Sequence, residues 1–351
     1  MIPTWLRISL RGAGNYFMGR PLCVSIEVTH SCTANCKHCD KGGIKPGERR
    51  VEPEEYARRL RELGSPPVVQ ISGGEPLLRE DVFDVIRAIK SGPLPFVIFV
   101  TNGSLLDERS YLELKRAGAD RISISLDFPD ERHDLFRRRP GLFEHLSELI
   151  PYLARRYGGC DIALNTAITR ENLPYICDIA LKAHEWGIGI SYSAYTVLRT
   201  GDESLMPSRE EVDLLGRLVE RLIRMRKAGV RILNPPSILR KIVRYFRDGE
   251  IPGCGAGRSF LVIRPDGGMN PCSMFPDLIF DSPDELREFA RRNRCGKCYV
   301  AIRAYSDRKV WEFIADGRFL IRIPSEGGTL REGVDRALHL KPDLDAPSQV
   351  G

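Results

Sequence analysis

The chain has 351 residues, of which 42% are hydrophobic and 28% are charged. A chain of this length and composition folds around a sizeable core, which excludes a minimal binding module, a collagen-like chain and a wholly disordered chain. Its 53 basic and 47 acidic residues give a formal net charge of +6, and this near balance gives no reason to expect a nucleic-acid partner.

Six short apolar runs rich in β-branched residues predict buried parallel strands. They alternate with six helical patterns, several of which begin with a capping-type residue or an early proline. This alternation favours a parallel sheet covered by helices, either doubly wound or a partial barrel, with ligands at the carboxyl ends of the strands. The predicted strands cover 22–29, 68–72, 96–101, 121–126, 161–168 and 188–195, and the helices 53–63, 80–90, 107–117, 142–157, 173–186 and 209–227.

The alternation ends near Arg231, and a second, smaller domain is predicted beyond it. A basic amphipathic helix runs to about Phe246, and residues 259–272 have the pattern of a hairpin around a Gly-containing turn. After about Pro324 the sequence becomes polar and rich in glycine and proline. We therefore divide the chain into an N-terminal extension, a core, a second domain and a tail, at 1–20, 21–232, 233–323 and 324–351.

The first residues of the chain are informative about the cellular location of the protein. It lacks the apolar region of a signal peptide, and no stretch reaches the roughly 18 apolar residues of a bilayer span. We expect a cytoplasmic protein whose ten cysteines stay reduced, so clustered cysteines are expected to be metal ligands or redox groups. The extension is expected to pack against the barrel; contact with a membrane surface is the less favoured alternative.

Three cysteines lie on the loop after the first predicted strand. Cys32, Cys36 and Cys39 form a C-x3-C-x2-C run, whose thiolates can converge on one soft metal centre. A 4Fe-4S cluster wants four ligands, so three thiolates leave one iron free for a small molecule. A zinc site completed by His38 or His30 is the alternative that this motif leaves open.

The second predicted strand runs into the turn Gly73-Gly74-Glu75-Pro76. Two glycines at a strand end let the backbone approach a ligand closely, and the adjacent carboxylate can accept hydrogen bonds from an ammonium group. In a parallel barrel this turn and the cysteine loop face the same mouth.

These motifs together resemble the radical S-adenosylmethionine (radical SAM) superfamily over residues 21–230. The resemblance implies a partial (β/α)6, TIM-like barrel and a 4Fe-4S cluster whose open iron binds the amino and carboxylate groups of SAM. It implies reductive cleavage of SAM to a 5′-deoxyadenosyl radical, which takes a hydrogen atom from the substrate. The matching motifs are the cysteine run, the Gly73–Pro76 turn, Thr101-Asn102-Gly103 and Ser123-Ile124-Ser125-Leu126-Asp127.

The resemblance also suggests which residues bind SAM. Glu75 and the carbonyls near Gly73 are suited to the methionyl ammonium, and the hydroxyls of Ser125 and Thr101 to the ribose. Three further members of these motifs, Gly74, Pro76 and Asp127, are assigned to the same site.

Two further SAM contacts are predicted after the fourth strand. Arg137 resembles a family position whose guanidinium pairs with the SAM carboxylate. Asn165 resembles the fifth-strand asparagine of the molybdenum-cofactor branch, although Ala163 replaces the lysine that this branch carries two residues earlier.

Four cysteines beyond the core resemble the auxiliary-cluster domain called SPASM, or its shortened form called twitch. A full SPASM domain has further cysteines near positions where this chain has Ala304 and Arg308. The resemblance therefore implies a single auxiliary 4Fe-4S cluster, fully ligated by protein, with a tetrahedral zinc site as the alternative. The four predicted ligands are Cys254, Cys272, Cys295 and Cys298.

The sequence thus predicts a radical SAM enzyme that receives electrons from a small ferredoxin or flavodoxin. Its substrate, either a peptide or protein or a small molecule, and the reaction after hydrogen abstraction are not determined by these motifs, and no catalytic residue is assigned. The alternative is a non-catalytic binding or electron-transfer protein stabilised by zinc or an iron–sulfur cluster.

Overall fold

The computed structural model describes residues 4–90, 92, 94–309, 312 and 316. The predicted tail, 324–351, lies outside the described residues, as does the end of the predicted second domain. Among the described residues, no helix has the length and apolar character needed to cross a membrane.

Six parallel strands form the main sheet, and each predicted strand is confirmed to within one residue at both ends. The strands pair in chain order, each with the next along the sequence. Every residue of β1 is buried, as expected for a parallel strand with both faces covered. The strands are β1 Cys23–Thr29, β2 Val68–Gly73, β3 Phe96–Thr101, β4 Arg121–Ser125, β5 Ile162–Ile168 and β6 Gly189–Ala194.

Helices follow the strands as predicted, and the described part of the chain has five more helices with full printed bounds, which were not predicted or were predicted only in part. Their starts follow local capping chemistry: the Asp107 and Ser208 side chains each accept the amide of the residue three positions on. The helices are α1 Thr4–Phe17, α2 Pro53–Glu62, α3 Val82–Ile89, α4 Glu108–Ala117, α5 Arg132–Arg137, α6 Leu142–Tyr157, α7 Ile176–Glu185, α8 Arg209–Lys227, α9 Pro236–Asp248, α10 Pro283–Arg292 and α11 Ala301–Ser306. Short 3-10 helices cover Pro76–Leu78, Leu173–Tyr175 and Glu203–Leu205.

The predicted C-terminal hairpin is present, and it extends the main sheet. Its strands are β7 Phe260–Ile263 and β8 Met269–Asn270, which pair antiparallel. β7 also pairs parallel with β1, with Cys23 opposite Phe260. The hairpin therefore shares a sheet with the core, and the division into domains stays a prediction.

Two helices pack at the open parts of this sheet, whose order runs from β6 through β1 to β8. α11 contacts β6, β1 and β7, so it lies across the gap between the ends of the partial barrel. α1 approaches the amino ends of the strands, where Gly12 packs near Pro67. The strands and these two helices enclose a cavity of about 990 Å³.

Candidate active site

The three cysteines after β1 line the wall of the large cavity. Backbone hydrogen bonds hold their loop: the Cys32 amide donates to the Gly43 carbonyl at 2.9 Å, and the Cys39 amide to the Cys36 carbonyl at 3.2 Å. Cys32, Cys36 and Cys39 therefore lie on one short, folded loop at the carboxyl end of the sheet, as the sequence predicts.

The Gly73–Gly74 turn holds the start of this loop. The Gly74 amide donates to the Thr29 carbonyl at 2.7 Å, and the Glu75 amide to the Ser31 carbonyl at 2.8 Å. Gly73 has a φ of +140°, and a Cβ on Gly74 would lie 2.1 Å from the Ser31 carbonyl oxygen. Glycine is needed here because the two backbones touch, one residue before Cys32.

Replacing Gly74 with alanine should therefore displace the cysteine loop. We expect the reconstituted protein to lose about four irons per chain, the content of one cluster. Gly216→Ala is the matched control, because a Cβ there meets only Val243 at 3.8 Å inside α8 and should slightly stabilise the helix. Iron analysis and thermal unfolding measure both effects; native iron content in Gly74→Ala would contradict this role.

Each of the three sulfur atoms contacts a different side-chain donor. Asn102 Nδ2 lies 3.6 Å from Cys32 Sγ, Arg137 Nη1 lies 3.6 Å from Cys36 Sγ, and Arg199 Nη1 lies 3.9 Å from Cys39 Sγ. Such donors stabilise negative charge on a thiolate and tune the potential of a bound cluster.

Burial opposes ionisation of two of these thiols. It raises the pKa of Cys32, against the opposing effect of the Ala34 amide and Asn102. It also raises the pKa of Cys36, with the Arg137 guanidinium opposing it. A metal takes the thiolate form, so these donors favour the state in which the thiols would bind iron.

Arg137 is held by a buried carboxylate. Its Nη2 lies 2.6 Å from Asp127 Oδ2 and its Nε 2.7 Å from the same oxygen. Asp127 is fully buried, and its Oδ1 accepts the Ala167 amide at 3.2 Å. Asp127 does not line the cavity, so it acts by orienting Arg137; this differs from the direct SAM contact predicted for it.

The contacts of Arg137 also extend the prediction made for it. Arg137 lines the cavity, where it contacts Cys36 as well as Asp127. A guanidinium has five N–H donors, so these contacts leave donors for a carboxylate ligand.

Glu75 has a structural role that the sequence did not reveal. Its carboxylate accepts the Thr101 hydroxyl at 2.8 Å, the Asn102 amide at 2.8 Å and the Leu77 amide at 3.2 Å. It is fully buried and lies outside the cavity lining, and burial raises its pKa to about 7. Glu75 thus joins the loops after β2 and β3, and the predicted ammonium contact does not fit this position.

The other predicted SAM contacts differ in their freedom to bind a ligand. Ser125 and Asn165 sit opposite each other on β4 and β5, and both line the cavity. The Thr101 hydroxyl also lines it, but it already donates to Glu75 and accepts the Gly103 amide at 2.9 Å. Pro76 is buried at the start of a 3-10 helix and lies outside the lining.

A charged cluster beside the cysteine loop was missed by the sequence analysis. Glu27, inside β1, accepts from Lys41 Nζ at 2.8 Å and lies 2.9 Å from His30 Nε2. Burial opposes its ionisation, but His30, Lys41 and Arg199 together hold the Glu27 pKa well below its usual range. A glutamate within an apolar run was the available signal; nothing local marked Arg199.

The four C-terminal cysteines converge on a second, small cavity of about 30 Å³. Backbone amides hydrogen-bond their sulfur atoms: Ala256 to Cys254, Met274 and Phe275 to Cys272, and Val300 to Cys298. Burial nevertheless raises the pKa of Cys254 to about 12 and that of Cys272 to about 11. All four predicted ligands, including Cys295, therefore face one apolar space lined with sulfur.

An arginine missed by the sequence analysis organises this second group. Arg303 is 1% exposed, and its guanidinium donates to the Gly296, Cys298 and Ile251 carbonyls. It thereby fixes the loop that carries two of the four cysteines.

Neither group of cysteines has the geometry of a single bound ion. Among residues 4–309 that the structure describes, no three His, Cys, Asp or Glu side chains are arranged to hold one metal ion. A single zinc ion needs its thiolates about 2.3 Å from one point. A 4Fe-4S cube has four iron and four sulfide corners and binds thiolates only at its irons, one at each, which is a wider arrangement.

Comparison with known proteins identifies one domain of the chain. The model of the radical SAM superfamily matches residues 26–180, the part that carries the cysteine loop and β1 to β5. This chain contains a radical SAM domain. The radical SAM family uses a 4Fe-4S cluster and SAM, as predicted from the motifs.

Relatives of the radical SAM domain are named enzymes. AdoMet-dependent heme synthase of Oleidesulfovibrio alaskensis is 36% identical over 168 residues, which cover 46% of this chain and 42% of that protein. The enzyme of the same name from Methanosarcina barkeri is 28% identical over 278 residues, or 74% of this chain and 78% of that protein. The chain thus spans less than half of one relative and over three quarters of the other.

A solved structure shares the radical SAM fold. SuiB of Streptococcus suis, bound to its precursor peptide SuiA, superposes with a TM-score of 0.58 at 17% identity. The superposition covers 77% of this chain and 63% of SuiB. The predicted partial barrel is confirmed by this likeness.

Proposed function

We propose that this protein is a radical SAM enzyme in which Cys32, Cys36 and Cys39 hold a 4Fe-4S cluster with one iron open to SAM. One observation carries the proposal: these three thiols, each with its own side-chain donor, line the same cavity as the Gly73–Gly74 turn.

The residues present fit three-thiolate ligation. His30 is engaged by Glu27 through Nε2, at 2.9 Å, and the His38 ring stacks on Phe136 with centroids 5.0 Å apart. His30 is therefore not free as a fourth ligand, whereas His38 Nδ1 is buried without a hydrogen-bond partner and is the nitrogen that the zinc alternative would use.

When bound, the cluster supplies the electron that cleaves SAM, and the 5′-deoxyadenosyl radical produced takes a hydrogen atom from the substrate. The chain itself orients the reactants. Arg137, Arg199 and Asn102 stabilise the negative charge of the three thiolates.

We assign SAM binding to polar groups at the cavity wall that can still form hydrogen bonds with a ligand. Ser125 and Asn165 offer a hydroxyl and an amide to the ribose, and the backbone of Gly73 and Gly74 offers acceptors to the ammonium. Arg137 offers its remaining N–H donors to the SAM carboxylate.

We further propose that the four C-terminal cysteines hold an auxiliary 4Fe-4S cluster. Three of them, Cys254, Cys272 and Cys298, pack in an apolar cluster with Phe260 and Met274, which supports the assignment.

Cys254→Ala tests the auxiliary cluster. We expect reconstituted protein to fall from about eight irons per chain to about four, while SAM still perturbs the remaining cluster. Zinc and iron analysis by mass spectrometry measure the change. About one zinc per chain in the native protein, and none in the variant, would contradict an iron–sulfur cluster at this position.

The electron donor, location and substrate are also proposals. A small ferredoxin or flavodoxin would supply electrons, and a cytoplasmic location suits ten unpaired cysteines. The substrate is a small molecule or a peptide segment, because the named relatives are heme synthases and the likeness extends to a peptide-bound SuiB.

The experiment is anaerobic reconstitution followed by reduction with SAM present. Chromatography with mass spectrometry should detect 5′-deoxyadenosine and methionine, with unreduced protein as the control. Iron-replete, reduced protein that never cleaves SAM with any candidate substrate would favour the non-catalytic alternative.

A further inference from the structure

The large cavity extends well beyond the cysteine loop, to the opposite ends of the strands. The first residues of β1, β2, β3 and β4 all line it: Cys23, Val68, Phe96 and Arg121. Ser125 lines the cavity four residues along β4 from Arg121, which corresponds to about 13 Å at the rise of a strand. The space can therefore hold a molecule much longer than the part of SAM next to the cysteines.

Arg121 lies at this far end without a carboxylate partner. Its guanidinium sits over the Phe96 ring, 5.5 Å from the centroid. No ion pair or hydrogen bond to Arg121 is formed within the part of the chain that the structure describes. Asp120, the preceding residue, pairs with Lys90, and Asp161, whose carbonyl accepts the Ile122 amide, pairs with Lys115.

The groups that face Arg121 leave its charge uncompensated. Tyr305, on α11, lines the same end of the cavity with 37% of its surface exposed, and its hydroxyl hydrogen-bonds Ser191. Arg231 is a second cation nearby, and with burial it lowers the pKa of Arg121, against the opposing effect of Tyr305.

Other arginines of the interior are compensated, which sets Arg121 apart. Arg137 pairs with Asp127, and Arg303 pairs with Asp307 and three carbonyls. Placing a cation among protein atoms without a partner disfavours folding. Such a group is expected where a ligand supplies the missing charge.

Most of the surface that the wall presents between the two ends is apolar, although Ser25, Gln70, Ser123 and Ser191 also line this stretch. A ligand that spans it would have an apolar body between the cysteine end and the Arg121 end. The apolar lining residues of this stretch include Ile98, Val100, Ala163, Leu233 and Ile302.

We propose that Arg121 and the Tyr305 hydroxyl form an oxyanion subsite, which binds a carboxylate or phosphate group on an otherwise apolar ligand. The subsite itself is independent of the proposed function. Only the identification of its ligand as the substrate rests on that function. The oxyanion anchors one end at Arg121 and brings the apolar body towards the cysteine end, where hydrogen abstraction would occur. The oxyanion of the ligand would supply the negative charge that Arg121 does not receive from the protein, through hydrogen bonds to the guanidinium.

Binding of simple probes tests the subsite without turnover. We would titrate reconstituted, SAM-loaded protein with octanoate, octyl phosphate and 1-octanol by calorimetry. At least one anion should bind about 10-fold or more tightly than the alcohol, as expected for hydrogen bonds to a charged group. The tighter of the two anions identifies carboxylate or phosphate as the preferred group; no preference for either anion over the alcohol overturns the proposal.

Variants assign the preference to Arg121. Arg121→Met should abolish the preference for the anion over octanol, and Arg121→Lys should retain part of it. Arg155→Gln, which removes an exposed charge from α6, should leave it unchanged. A folded Arg121→Met protein that keeps the native preference overturns the proposal. If the methionine variant does not fold, Arg121→Gln takes its place, and the same result overturns the proposal.

Stability separates a binding role from a structural one. Because Arg121 is unpaired, Arg121→Met should unfold at the same temperature as the native protein or a higher one. A marked loss of stability would show that Arg121 holds the fold together, against the proposal. Failure of SAM cleavage with a normal anion preference would refute the proposed function and leave the subsite standing.

Discussion

Replacing Arg137 with leucine should lower the free energy of unfolding by about 3–5 kcal/mol, because it leaves the Asp127 carboxylate buried without its partner. Asp127 is fully buried and pairs with Arg137 at 2.6 Å. Denaturant unfolding of the metal-free protein measures this change. The double variant Arg137→Leu, Asp127→Leu should recover much of the loss, because it removes both charges.

An exposed ion pair provides the control. Arg244 lies 3.1 Å from Asp248 on α9, and both side chains are exposed, so Arg244→Leu should cost less than about 1 kcal/mol. Equal losses at Arg137 and Arg244 would contradict the importance assigned to the buried pair.

The pH dependence of the Arg137 effect has a definite sign. Burial alone would raise the pKa of Asp127. Arg137, His38 and His133 lower it by more than burial raises it, so the Asp127 pKa in the folded protein lies below its usual range. A lowered carboxyl pKa contributes stability above the unfolded value of about 3.9. That contribution is lost as the pH falls through the folded pKa, so the native protein and Arg137→Leu should converge below about pH 4.

Replacing Cys36 with alanine should have the largest effect on activity. We expect the iron content to fall by about four per chain, and SAM cleavage to fall to the background of unreduced protein. Cys36 sits in the wall of the cavity, and Arg137 Nη1 donates to its sulfur at 3.6 Å. Two thiolates would then remain where the cluster needs three.

Cys160→Ala is the matched control, because Cys160 is an exposed thiol away from both groups of cysteines. It should keep native iron content and native SAM cleavage. If Cys36→Ala cleaved SAM at the rate of Cys160→Ala, the assignment of the cluster to the first cysteine loop would be wrong.

The strands could be predicted from sequence because most of their residues are apolar or β-branched, on the face that lines the cavity as well as on the buried face. Runs such as Val68–Gln70 or Phe96–Val100 carry their structure in local composition. The same holds for α6, Leu142–Tyr157, and α8, Arg209–Lys227, whose predicted bounds match the structure. The α10 helix was missed although its capping box, Ser282 with Glu285, was legible.

The pairing of strands that are far apart in the chain could not be predicted from the sequence. β7 joins β1 across more than two hundred residues, and no local pattern specifies such a partner. The placement of α11 in the gap of the barrel depends on the same tertiary packing.

In the candidate site, too, features set by neighbouring residues could be predicted from the sequence, and contacts between distant loops could not. The spacing of Cys32, Cys36 and Cys39 predicted one loop and one centre. The role of Glu75 depends on Thr101 and Asn102, which lie in another loop. The sequence alone suggested that Glu75 contacts a ligand, whereas in the structure its carboxylate links two loops by hydrogen bonds. Arg199 reaches Cys39 from the loop after β6, a contact without a sequence signal.

The most direct measurement is electron paramagnetic resonance of the reduced Cys254→Ala protein, which would carry only the cluster of the first cysteine loop. Addition of SAM labelled with 15N at the amino group should change the spectrum and give a hyperfine coupling to that nitrogen. A reduced cluster whose spectrum does not change at saturating SAM would contradict an open iron at Cys32, Cys36 and Cys39.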